Sequence, residues 1–194
     1  MKPFLILQLR PETDAADDEY VAILAKCGLT PAQTRRIRVD QCDIPDDLDV
    51  TDYAAVIVGG GPGCVSDPPE KKSLLEAQIE NQIMSLMPQI TALDHPFMGC
   101  CYGLGILANH LGGEVSKERY SEPVGPTHCA LLPDGEDDPL LQGLDQEFEV
   151  FVGHKEAVQH LPPQTVHLLD SPDCPIQMIR FGRNVYATQF HPEA

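Results

Sequence analysis

The feature that most constrains the fold is an alternation. Short apolar runs stop at glycine-rich turns, and longer segments of helical period follow them. Residues 4–9 (Phe-Leu-Ile-Leu-Gln-Leu) read as a first strand, and a helix around 19–27 follows that Gly28 can end. Residues 36–39 form a second candidate strand. Residues 53–58, rich in β-branched side chains, form a third and run directly into Gly59-Gly60-Gly61-Pro62-Gly63. Leu74, Leu75, Ile79, Ile83, Leu86 and Met87 recur at i, i+3 and i+4, which predicts a helix over 69–93 that Pro88 kinks or ends. A short strand at 96–99, a turn at 100–103 and a helix at 104–111 come next, closed by Gly112-Gly113. Such β–α alternation predicts an α/β fold: an open, mostly parallel sheet with helices on both faces. The second half changes character, with candidate strands at 114–132, 147–152, 166–169, 176–181 and 185–190. With no internal repeat and no linker-like stretch, residues 1–194 read as a single domain.

Charge and cysteine usage narrow the function classes. The formal net charge is −17, from 30 acidic and 13 basic residues. The acidic runs at 14–19, 43–52 and 134–138 read as solvated loops or helix faces. With no basic patch to neutralise phosphates, nucleic acid is excluded as a direct partner. No apolar stretch approaches the roughly 18 residues of a membrane span. The short apolar run after Met1-Lys2-Pro3 lacks a small-residue cleavage site, so a cytoplasmic address is the default expectation. The seven cysteines are odd in number, scattered and without a Cys-x-x-Cys pair, which argues against a disulfide framework or a structural zinc site. His95, His110, His128, His160 and His167 show no ligand spacing, so neither metal nor cofactor is expected.

Three segments carry chemistry. In Gly99-Cys100-Cys101-Tyr102-Gly103, a strand stops at a glycine-flanked turn and hands over to a helix. That arrangement pushes one side chain out at the sheet edge, onto a helix N-terminus that favours a thiolate. The register Gly-x-Cys-x-Gly selects Cys101 as the exposed thiol and turns Cys100 into the core. Taken alone, the segment is equally a buried strand end. The second segment is Gln189-Phe190-His191-Pro192-Glu193, where a strand delivers His191 and the Glu193 carboxylate can turn back to orient the imidazole as base and acid. The third is the glycine cluster at 59–63. It can be a tight turn or a phosphate cradle, although it lacks a Gly-Lys-Ser/Thr ending. Beside a cysteine elbow it reads better as an oxyanion hole, with Gly60 and Gly61 and the Tyr102 N–H as donors.

In this order and spacing the segments resemble the class I glutamine amidotransferase family, in particular the amidotransferase domain of GMP synthases and their free-standing relatives. The resemblance spans nearly the whole chain, from Phe4 to Glu193. It implies a flavodoxin-like sheet and glutamine hydrolysis through a γ-glutamyl thioester, with ammonia passed to a synthase partner on a separate subunit. Cys101 is then the nucleophile, His191 the base and Glu193 the orienter. The stretch from Phe151 to Glu156 resembles the family's Ser-His-Gly-Asp segment, making His154 either a substrate-site residue or an ordinary surface histidine. Two departures stand out: Gly105 occupies the place of the glutamine four residues after the nucleophile, and Gly153 replaces the serine before His154. Gly105 implies altered substrate recognition, with room for a larger amine as in a γ-glutamyl peptidase; a non-catalytic binding member is the other alternative. Free-standing relatives tend to continue into a further helix, so a truncated C-terminus would leave Glu193 frayed.

Overall fold

The computed structural model describes residues 2–194. Its main sheet has nine strands in the order β2-β1-β3-β4-β11-β10-β9-β6-β7. β1 (Phe4–Gln8), β2 (Thr34–Arg38), β3 (Val56–Val58), β4 (Phe97–Cys100) and β11 (Val185–Thr188) pair in parallel. β10 (Met178–Phe181), β9 (Thr165–Asp170), β6 (Glu122–Leu131) and β7 (Glu147–His154) continue the sheet antiparallel. The expected open α/β architecture with helices on both faces is therefore present, with an antiparallel extension on one side. β5 (Glu114–Ser116) and β8 (Ala157–His160) form a separate two-stranded sheet.

Alternation along the central strands sorts the helices. Leu5 and Leu7 of β1, with Val56 and Val58 of β3, face α2 (Leu74–Ala92) and α3 (Tyr102–His110). The intervening Ile6 and Ile57 face α1 (Thr13–Cys27) through Ile23. Ile83, Met87 and Ile90 of α2 are completely buried, each contributing roughly 1.5–3 kcal/mol. A second core, containing Cys129, Leu168, Leu169, Met178, Tyr186 and Phe190, underlies the antiparallel strands.

Several boundaries differ from the sequence reading for identifiable reasons. α1 begins six residues earlier, at Thr13, because its opening turns are acidic and carry no apolar period; Asp14 instead complements the helix dipole. The helix expected over 69–93 starts at Leu74, where Ser73 and Glu76 form a reciprocal capping box, and residues Pro69–Lys71 form a 3-10 turn. Pro88 lies inside α2 and does not end it. The stretch 114–132 is two strands in different sheets, separated by a turn in which Tyr120 takes a φ of 69°. β8 was not anticipated. The acidic runs are not uniformly solvated: Glu19 and Asp138 are buried. No helix among the described residues is long and apolar enough to cross a membrane.

Candidate active site

Cys101 lies between β4 and α3 with φ 51° and ψ −95°, a conformation that costs a non-glycine residue about 1–3 kcal/mol. Three backbone bonds hold it there: its N–H donates to Thr188 O at 2.7 Å, and its carbonyl accepts from Leu104 N at 3.0 Å and Gly105 N at 3.3 Å. The strain rests on the cysteine, not on the flanking glycines, whose φ values are ordinary. Gly99 serves close packing instead, since a Cβ there would sit 2.9 Å from the backbone C and O of Gly103. Cys100 is 2 % exposed, and burial drives its thiol well above the ordinary range. Cys101 is half-buried and opens onto a cavity of about 340 Å³.

β11 lies beside β4 with Thr188 opposite Cys100, so the chain leaving β11 passes the elbow one strand away. His191 follows, its N–H donating to Phe151 O at 2.8 Å. Its Nδ1 is 2.8 Å from Glu193 Oε1, which fixes the ring. Glu193 is 8 % exposed rather than frayed, and the neighbouring Ala194 carbonyl accepts from Lys26 Nζ at 2.8 Å. Burial pulls the His191 imidazole down, but the Cys101 sulfur and the Glu193 carboxylate outweigh it and lift it to about 10. Burial likewise pushes Glu193 up, and its bond to the charged ring reverses this and holds it below the ordinary carboxylate range. Gln189, unremarked in the sequence, directs its amide at the Cys101 sulfur from 4.0 Å.

The glycine cluster divides its donors. Gly60 N–H is taken by Glu19 Oε1 at 3.1 Å, so this residue is not available to an oxyanion as the sequence suggested. Its lack of a side chain matters in another way: a Cβ would lie 2.7 Å from His191 Cε1 and 2.8 Å from an Arg10 nitrogen. Gly61 lines the cavity, and no hydrogen bond among the described residues uses its N–H. Tyr102 is the first residue of α3, where no carbonyl one turn back takes its N–H. These two donors flank the cavity at Cys101. Glu19 also accepts from Gln8 Nε2 and Arg10 Nε, and so ties α1 to the end of β3.

Gly105 and His154 both line the cavity. A Cβ at Gly105 would meet Glu156 Oε1 and Val65 Cγ2, each at 3.2 Å, so the missing side chain opens no extra room. Glu156 fills that side of the wall and pins the loop after the glycine cluster. It accepts from Val65 N at 2.7 Å, Ser66 N at 2.9 Å and Ser66 Oγ at 2.6 Å. His154 is buried rather than at the surface, bonded through Nδ1 to Glu156 O at 2.9 Å and through Nε2 to Glu122 Oε2 at 2.8 Å. Arg10 and Lys155 add positive charge to a wall that also holds Glu122 and Glu156.

An open α/β sheet with a cysteine elbow on one strand and a His–Glu pair after its neighbour defines a class, and comparison with known proteins agrees. The chain belongs to the class-I glutamine amidotransferase family, whose profile matches residues 18–194. Among curated relatives, it is 33% identical over 159 residues to GMP synthase [glutamine-hydrolyzing] from Janthinobacterium sp. (strain Marseille), covering 78% of this chain and 27% of that protein. It is 34% identical over 141 residues to the same-named protein of Thermosipho africanus (strain TCF52B), covering 72% and 24%. The chain thus corresponds to about a quarter of those relatives. The fold is shared with a glutamine amidotransferase from Thermotoga maritima (TM-score 0.78, 18% identity, 100% of this chain and 77% of that one). It is also shared with a glutamine amido transferase from Methylobacillus flagellatus (TM-score 0.76, 22% identity, 100% and 71%).

Proposed function

We propose that this protein is a cysteine-dependent amide hydrolase that takes ammonia from glutamine or a related γ-glutamyl compound. The observation that carries the reading is the strained Cys101 at the head of α3, one strand from a His191–Glu193 pair whose imidazole is lifted to about 10. The attacking form of a cysteine nucleophile is the thiolate, and His191 beside the sulfur is the group that exchanges the proton. The Cys101 sulfur adds to the carboxamide carbon, and the carbonyl oxygen becomes an oxyanion that accepts from the Gly61 and Tyr102 N–H groups. As the tetrahedral species collapses, the C–N bond breaks and His191 gives its proton to the departing nitrogen, leaving ammonia and a γ-glutamyl thioester. Neutral His191 then takes a proton from water, which attacks the thioester; the C–S bond breaks, releasing glutamate and the thiolate. Glu193 stabilises the charged ring in both steps.

The cavity wall carries both signs, with Arg10 and Lys155 against Glu122 and Glu156. That combination suits the zwitterionic end of an amino acid. Glu156 and Val65 fill the space at Gly105, which leaves no added room there for a larger amine. The relatives named GMP synthase extend well beyond the aligned segment, which favours an ammonia-using synthase as the downstream partner. The test is ammonia release from L-glutamine by the purified chain with Cys101→Ala as control. Cys101-dependent release is expected. Failure of Cys101 to react with a γ-glutamyl electrophile, together with no release, would overturn the reading.

A further inference from the structure

Beyond the elbow, a second cluster of reactive side chains meets where three separate segments converge. Glu122 opens β6, His154 closes β7 directly opposite it, and Cys174 lies in the connection between β9 and β10. All three are buried, at 6 %, 7 % and 0 % exposure. One ligand atom from each lies within 4.8 Å of the others. Sequence spacing gave no sign of this, because register across β6 and β7 brings the residues together. We propose that Glu122, His154 and Cys174 form a zinc(II) site in the wall of the cavity, with Cys174 behind it.

The groups around the three residues are already arranged as ligand supports. His154 Nδ1 must donate to the Glu156 carbonyl, which can only accept, so its Nε2 is the nitrogen turned to the cluster. Metal-bound histidines are commonly oriented by such a bond on the other nitrogen. Glu122 Oε2 accepts from Gln177 Nε2 at 2.7 Å, and the Cys174 N–H donates to Ser171 Oγ at 3.1 Å. Gln177 is 0 % exposed and turns its amide nitrogen to the cluster, donating to Glu122 Oε2 and also to Ser171 Oγ at 3.0 Å, so the carboxylate and the Cys174 turn are held by one side chain.

The ligand set selects the ion. One imidazole, one thiolate and one carboxylate suit zinc, whereas magnesium and calcium prefer oxygen alone. The ion would replace the proton now held between Nε2 and Oε2 at 2.8 Å, and the Cys174 thiol proton would leave with it. The dipositive ion with one thiolate, one carboxylate and a neutral imidazole sums to zero, which suits a buried position. Glu122 and His154 both line the cavity, giving a path for entry and for a water as fourth ligand.

The experiment uses the full chain carrying Cys101→Ser, so that zinc held by the elbow thiol is not counted. After loading with zinc chloride and desalting, zinc per chain is measured by plasma mass spectrometry, and affinity by competition with a chelating dye. About one zinc per chain is expected. Adding Cys174→Ser or His154→Gln should weaken binding by at least about 100-fold, and cobalt(II) loading should show a thiolate charge-transfer band that Cys174→Ser removes. Should Cys174→Ser fail to fold by circular dichroism, the nearly isosteric Glu122→Gln is read in the same assays. No zinc on the Cys101→Ser chain, or equal affinity in the folded second-site variants, would overturn the proposal.

Discussion

Replacing Cys101 by glycine and by alanine separates strain from chemistry at the elbow. Both changes remove the thiol, so neither variant should release ammonia. They differ in backbone freedom. At φ 51° and ψ −95° an alanine keeps the steric cost of about 1–3 kcal/mol, while a glycine sheds it. Against this, glycine raises the entropy of the unfolded chain, a loss of about 0.4–1 kcal/mol. The balance leaves Cys101→Gly more stable than Cys101→Ala by about 1 kcal/mol, or roughly 2–4 °C in Tm for a chain of this size. Urea titration of both variants, with thermal melts as a second measure, reads the difference directly. The bonds from Cys101 N to Thr188 O and from Leu104 N to Cys101 O are backbone bonds that both variants keep, so they cancel. If Cys101→Gly is equal to or less stable than Cys101→Ala, the elbow stores no strain at this position.

The His191–Glu193 pair predicts a pH signature in stability. His191 is raised in the folded protein, so its contribution is full below about pH 6.5 and is lost as pH climbs through about 10. Glu193 is depressed, so its share is present above the ordinary carboxylate range and is lost in acid. The Tm gap between the parent and His191→Gln should therefore narrow between pH 6.5 and 10, and a constant gap would contradict the pairing. Gly105→Gln restores the residue the family usually carries, yet it should destabilise the chain by about 1–3 kcal/mol in urea titration because Glu156 and Val65 occupy the space. Glu156→Ala frees the Val65 and Ser66 N–H groups and should cost about 2 kcal/mol or more, with faster proteolytic cleavage near residues 61–66; unchanged cleavage would refute its role as a staple.

The parallel half of the sheet was legible because short apolar runs that stop at glycine state both the strand and its turn. Residues 56–58 and 97–100 are the clearest cases. The elbow was readable for the same reason, as was the placement of His191 two residues before Glu193. What escaped reading depends on tertiary register. Glu19 sits in an acidic run that looks solvated, and only its alignment with Ala16 and Ile23 on the buried helix face marks it as inward. Glu156 and Gly105 are far apart in sequence, so the filling of one by the other has no local signal. Gly60 resembled a free donor because nothing in the glycine cluster reveals that Glu19 already takes its N–H. Likewise, the break between β5 and β6 lies in a polar stretch without a proline or glycine until Pro123.

The change from parallel to antiparallel pairing at β11 divides the labour between two kinds of variation. Cys101 and His191 emerge from neighbouring parallel strands, so their separation inherits the sheet's own repeat of about 4.8 Å, a spacing that surface mutation does not alter. Glu122 and His154 instead come from the antiparallel extension, where a long connection through residues 132–146 joins β6 to β7, and Glu156 follows directly after β7. Such a chain can exchange the side chains that meet a ligand while the two reacting atoms stay in step. Under the proposed function, the seam at β11 separates the strands that deliver the reacting side chains from those that build the far wall of the cavity.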